Sequence, residues 1–150
     1  MIENNGGFLI SQIKQIQSRI FERLLIEYGI EDFNGAQGRI LYVLWKEDNL
    51  PIVELSRRTC LAKTTLTSML DRMEDKGHII RINDMENRRQ IRICLTDKAR
   101  SLESRYNEVS AKMNSIFYKE FTNEEVAFLE SKLKAILENL KREEKNYDIK

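Results

Sequence analysis

At 150 residues the chain has ordinary single-domain length, long enough to bury a core. Its 41% hydrophobic and 33% charged content exclude a disordered chain, and no apolar run approaches the roughly 20 residues that a membrane-spanning helix needs. The net charge of +1 excludes nothing about nucleic acid, because residues 57–92 hold nine Lys and Arg against five Asp and Glu, leaving a basic middle of +4 and a remainder of −3.

The first residues, MIENNGG, lack the basic and apolar regions of a signal peptide, so the cytoplasm is the expected compartment. Residues 8–28 place Leu9, Ile13, Ile16, Ile20 and Leu24 at spacings of four, three, four and four, one apolar stripe along a helix. Gly29 stops it. Asn34 is the predicted N-cap of a second helix, GAQGRILYVLWKE, with Ile40, Leu41, Val43 and Leu44 facing inward. Gly35 and Gly38 are poor helix formers and blur its start. Pro51 suits the first turn of a short helix over 51–58. After a break at TCLA, a further helix runs from about Lys63 to Lys76 with Leu66, Met69, Leu70 and Met73 on one side and Gly77 just past its end.

Two strand-like runs follow. Ile80 and Ile82 are expected on one face of the first, and Ile91, Ile93 and Leu95 on one face of the second, with Gln90 and Arg92 pointing the other way. The turn between them carries Arg88 and Arg89 without Gly or Pro. From Asp97 the pattern is helical again: Leu102, Tyr106, Val109, Met113 and Ile116 form one seam. Thr122 and Glu125 make a capping box, and Val126, Leu129, Leu133, Ile136 and Leu140 form a second seam. The charged KREEKNYDIK is expected to fray.

The fold class is therefore mainly α with a small β-hairpin, a single domain over 1–150. A winged helix-turn-helix spans 34–96, dimerisation helices span 8–33 and 97–145, and 146–150 form a frayed tail. The seams could pack on one another within the chain, but stripes of this length favour a partner helix and a two-fold homodimer. Such a dimer presents two recognition helices about 34–36 Å apart, one turn of duplex DNA.

In a winged helix-turn-helix the second helix enters the major groove by its N-terminal residues. Here these are Lys63, Thr64, Thr65, Thr67 and Ser68: a charge, short hydroxyls for base edges or phosphates, and methyls that can meet a thymine methyl. Asp71, Glu74 and Asp75 would repel phosphate, so only the first two turns can sit deep. An ordinary solvated face of Thr and Ser is the alternative. The hairpin tip would lie over the adjacent minor groove, whose negative potential draws in Arg88 and Arg89. Asp84 could orient one of these guanidiniums through a bidentate pair.

Nothing in the residues suggests catalysis. One His, no phosphate-cradling glycine loop and no HExxH leave no constellation for an enzyme, and no metal or other cofactor is expected. Cys60 and Cys94, 34 positions apart with no CxxC, read as small, partly buried apolar residues. His78 reads as a turn residue where a strand begins rather than a ligand.

The stretch from Leu50 to Arg100 resembles the MarR family (multiple antibiotic resistance regulators). TTLTSMLDRMEDKGHI is similar to the family's recognition helix and its exit, and DMENRRQIRICLT to its wing; the flanking amphipathic helices extend the resemblance over nearly the whole chain. The resemblance implies a homodimer on palindromic operator DNA, usually a repressor, often released by a small aromatic or phenolic effector or an oxidant. It implies DNA contacts at Thr65, Thr67, Ser68, Arg88 and Arg89. Asn87 stands where the wing commonly has Asp, Ser68 where Arg is frequent, and Ala99 where Gly is usual. The oxidation-sensing branch uses a cysteine near the start of the chain, so neither Cys60 nor Cys94 inherits that role. A ligand pocket is implied where the dimerisation helices meet the reading head, with Phe33, Tyr42 and Trp45 as wall residues, although such aromatics are more often core. The alternative function is a winged-helix protein-interaction module that binds no DNA.

Overall fold

The helix over residues 35–46 begins where its cap dictates. Asn34 Oδ1 accepts from Gln37 N at 2.8 Å while Gln37 Oε1 accepts from Asn34 N at 3.2 Å, a reciprocal capping box that satisfies two end amides. The computed structural model describes residues 3–148. Its elements are α1 (Gly6–Glu27), α2 (Gly35–Lys46), β1 (Leu50–Pro51), α3 (Ile52–Thr59), α4 (Lys63–Asp75), β2 (Ile79–Asn83), β3 (Ile91–Leu95), α5 (Asp97–Arg100), α6 (Glu103–Phe117) and α7 (Asn123–Asp148). Gly29, with φ +76°, lets the chain leave α1 in the left-handed conformation that a Cβ disfavours. The chain falls into two compact units, one up to Met113 and one from Asn114.

In the first unit, α2, α3, α4 and the sheet close on one core. Ile40, Leu41, Leu44, Leu55, Leu66, Leu70, Met73, Ile79 and Ile93 are all fully buried. Each such side chain contributes roughly 1.5–3 kcal/mol through removal from water. Next to it an aromatic group forms: Trp45 lies 5.0 Å from Tyr106 and 6.4 Å from Phe33 between ring centroids, and its Nε1 donates to Ala99 O at 3.1 Å. The α3–α4 turn passes through Cys60 in the left-handed region, φ +59°, held by Ser56 Oγ donating to Leu61 O at 2.7 Å. In the second unit, Glu125 N donates to Thr122 Oγ1 at 3.1 Å and Thr122 N to Glu125 Oε1 at 2.9 Å, the capping box that starts α7.

Several expectations are corrected. The hairpin is part of a three-stranded antiparallel sheet in the order β1-β3-β2, because Leu50 pairs with Ile93 and Pro51 with Arg92. Pro51 therefore caps α3 from outside, with ψ 149°, and does not belong to its first turn. Ile80 and Ile82 do share one face, but it is the outward one, at 48% and 38% exposure, because Ile79 pairs with Leu95 and Arg81 with Ile93, and Ile79 is buried in the core. Residues after Thr96 form a short α5 and then α6, since Thr96 Oγ1 caps Ala99 N at 3.2 Å and the chain reorients before Glu103. Helix α7 runs on to Asp148, so residues 146–148 of the expected frayed tail are helical, and 149–150 lie outside the described residues. Cys60 is exposed rather than partly buried. His78 does sit at the bend where β2 begins, with its ring fully buried and Nε2 3.0 Å from Asp32 O.

Two outcomes follow from this packing. A Cβ on Gly38 would lie 2.7 Å from Tyr106 Cε2 and 3.2 Å from Phe33 Cε2, inside a closed ring cluster. Gly38→Ala is expected to cost about 1–3 kcal/mol in urea unfolding, and an unchanged midpoint would contradict the packing. On α3, hydrogen bonds from Arg57 and then Arg58 hold the Glu54 carboxyl down from its ordinary 4.5 to about 2. A depressed carboxyl stabilises the fold above its ordinary value, and that contribution is lost as pH falls from 4.5 toward about 2. The pair is solvent-screened, so the effect is small in size. Unfolding midpoints measured across that range should fall less steeply with acid in Glu54→Gln than in the parent chain; parallel curves would contradict the pairing.

Candidate nucleic-acid interface

Helix α4 sinks Leu66, Leu70 and Met73 into the core, and helical periodicity leaves Lys63, Thr64, Thr65, Thr67 and Ser68 exposed on the other side. Its N-cap is Ala62, which supplies no side-chain hydrogen bond to the first-turn amides. Those donors and the positive end of the helix dipole suit an anion. Thr67 Oγ1 donates to Lys63 O at 2.8 Å, which fixes its rotamer and leaves the hydroxyl's lone pairs free to accept.

The wing turn is built without Gly or Pro by side chains that stand in for backbone partners. Asp84 Oδ1 accepts from Glu86 N at 2.9 Å and Asn87 N at 3.3 Å; Asn87 Oδ1 accepts from Arg89 N at 3.2 Å. The Glu86 amide, with the Arg92 guanidinium adding to it, holds the Asp84 carboxyl below the usual carboxylate range. The cation on Asp84 is Arg92, whose Nη1 donates to Oδ2 at 3.2 Å, rather than either tip arginine as anticipated. Asp84 therefore shapes the turn beneath Arg88 and Arg89. Both tip side chains are exposed, and among the described residues neither guanidinium has a hydrogen-bond or ion-pair partner. Lys63 and Arg89 nevertheless converge, lining one cavity of about 270 Å³ with Ile52, Val53 and Ile91.

Two acidic residues on the later turns of α4, Asp71 and Glu74, are not free anions. Arg81 of β2 donates to Asp71 Oδ1 at 2.7 Å and Glu74 Oε1 at 2.8 Å, tying the wing strand to α4. The aromatic trio is divided. Phe33 and Trp45 belong to the ring cluster, whereas Tyr42 is 46% exposed, with Lys46 Nζ 5.3 Å from its ring centre. Tyr42 instead lines a groove of about 520 Å³ with Lys14, Arg39, Arg58 and Cys60. Cys94, whose Sγ lies 3.4 Å from Asn49 Oδ1, has its thiol pushed up by burial and by the Asp48 carboxylate. Among the described residues no group of three or more His, Cys, Asp or Glu side chains could hold a metal ion.

Arg81, Arg92 and Asn49 were not singled out from the sequence. The polar DN pair before LP is the one local signal for a turn at Asn49, and the partner of that turn is 43 residues away on β3.

The MarR family model matches residues 33–91. The HTH-type transcriptional regulator TtmR of Methylorubrum extorquens (strain PA1) is 42% identical over 87 residues, 58% of this chain and 43% of that protein. The HTH-type transcriptional regulator SarZ of Staphylococcus aureus (strain USA300) is 28% identical over 78 residues, 52% of this chain and 53% of that protein. The chain thus spans about half the length of the curated relatives it matches. The crystal structure of a mutant MarR from E. coli, complexed with operator DNA, aligns with a TM-score of 0.77 and 27% identity over 87% of this chain and 92% of that one. With its three-stranded wing and its exposed α4 face, the chain resembles MarR-family proteins, and the family model covers residues 33–91 of it.

Proposed function

We propose that this chain is a homodimeric, sequence-specific DNA-binding transcription regulator, a repressor released by a small aromatic effector, and not an enzyme. The observation that carries the reading is the convergence on one cavity of Lys63, at the uncapped start of α4, with the wing residue Arg89, whose guanidinium has no partner among the described residues. A solved relative is complexed with operator DNA, which supports the same partner here. On a palindromic operator, the first two turns of α4 enter the major groove and present Thr64, Thr65, Thr67 and Ser68 to base edges and phosphates. Arg88 and Arg89 reach the neighbouring minor groove, with Asp84 holding the turn under them.

The dimer is supported within each unit separately. In the first, Leu9, Ile13 and Ile16 of α1 are 53%, 45% and 51% exposed; in the second, Leu133, Ile136 and Leu140 of α7 are 36%, 44% and 63% exposed. Stripes at heptad spacing are the surfaces that a second copy buries. A dimer seated on its operator excludes other proteins from the same grooves, hence repression. The groove beside Tyr42 supplies Lys14 and Arg39 to an anion and a ring to stack on, the features that a small aromatic acid needs.

Binding to a duplex covering the DNA upstream of the chain's own reading frame, measured by fluorescence anisotropy over a salt series, tests the DNA reading. Arg89→Ala is expected to lose about 1–3 kcal/mol, and Lys63→Ala to flatten the salt slope by about one. Unchanged affinity and slope in both would contradict the assignment. For the effector, a hydroxybenzoic acid should raise the melting temperature and weaken duplex binding, and both responses should fade in Arg39→Ala. A ligand that binds but leaves duplex affinity unaltered would exclude release by that compound.

A further inference from the structure

We infer that Arg92 is a positioning residue for DNA binding: it ties the wing tip to the turn that leaves α2 and so sets the reach of Arg89, an inference that rests on the DNA-binding reading above. The contacts form one continuous chain. Arg92 Nε donates to Asn49 Oδ1 at 2.9 Å and Nη2 to Asn49 O at 2.7 Å, while Nη1 donates to Asp84 Oδ2 at 3.2 Å. The other oxygen of Asp84 holds the amides of Glu86 and Asn87, and the Asn87 side chain holds the amide of Arg89.

The far end of this chain is fixed. Asn49 adopts φ +57°, an uncommon left-handed conformation for a residue other than Gly, and this presents both its carbonyl and its side-chain oxygen to one guanidinium. Its neighbour Asp48 accepts from Leu95 N at 2.9 Å and from Arg100 Nη2 at 2.8 Å, pinning the turn to β3 and α5. Arg92 and Asp84 side chains are 30% and 13% exposed, so the link is partly shielded from solvent. Only a planar fork with several fixed donors meets three acceptors in this way, which a lysine ammonium on a flexible stem does not.

The consequence lies in the cost of ordering. The tip of a hairpin sways about its root, and a guanidinium that must be ordered on binding loses affinity to that entropy. Arg92 removes part of the sway before DNA arrives. Its effect on binding must then pass through Arg89 and should be independent of Lys63, whose backbone belongs to α4.

The test is a pair of double-mutant cycles on the full chain, with a duplex that the wild type has selected from a randomised library as the probe and melting temperatures taken in parallel. Arg92→Ala is expected to weaken binding about tenfold; Arg92→Ala with Arg89→Ala should lose little more than Arg89→Ala alone, while Arg92→Ala with Lys63→Ala should lose the product of the two single effects. Arg92→Lys, which keeps the charge and removes the fork, should behave as Arg92→Ala and provides the same comparison should the alanine variant fail to fold. Multiplicative losses with Arg89→Ala, or full affinity in Arg92→Lys, would overturn the inference while leaving the DNA reading intact. A wild-type chain that selects no duplex would overturn both.

Discussion

The burial of Leu66, Leu70 and Met73 is the constraint on which the rest depends. A helix that sinks one face into a shared core must show the opposite face to solvent, and here that face begins with Lys63, Thr64, Thr65, Thr67 and Ser68. The same burial fixes where the wing stands, because Ile79 and Ile93 enter the core beside α4 and Arg81 then closes onto Asp71 and Glu74. Asp71 and Glu74 of the later turns thus hold the wing strand. The early turns carry no acidic side chain.

Charge pairing narrows the cations open to an anionic partner further than charge content does. In the basic middle, Arg57, Arg58, Arg81 and Arg92 each donate to a carboxylate within the fold. Lys63, Arg72, Lys76, Arg88 and Arg89 have no such partner among the described residues, and of these Lys63, Arg88 and Arg89 occupy the start of α4 and the tip of the wing. A cation that keeps its hydration in the free protein can exchange it for phosphate on binding, with release of counterions from the duplex. A chain of near-zero net charge can therefore present a local cationic surface, since at physiological salt fields are screened beyond roughly 8 Å.

Features with a local cause were legible in the sequence. The Asn34 and Thr122 caps, the span of α4 and its buried face, and the turn holding Arg88 and Arg89 all follow from residues within a few positions of one another. Features set by distant pairing were not. Strand β1 is two residues long and contains a proline, so nothing in its own pattern marks it; its pairing with Ile93 does. In the run Ile79, Ile80, Arg81, Ile82, alternation alone permits two faces, and the register against Leu95 decides between them. Asp84 was expected to pair with a tip arginine, yet its cation is Arg92, which comes into reach only once β3 folds back along β2. The aromatic residues Phe33, Tyr42 and Trp45 look alike by composition, and their division between core and groove is a property of packing alone.

The central claim is that two copies of one surface, α4 and its wing, read a duplex from the same side. Chemical footprinting of the selected duplex with the full chain addresses it directly, using a major-groove guanine probe and a minor-groove cleavage reagent. The account predicts two major-groove patches separated by one helical turn, about 10 base pairs, each flanked by minor-groove protection. A single unflanked patch, or protection spread evenly along the duplex, would contradict it.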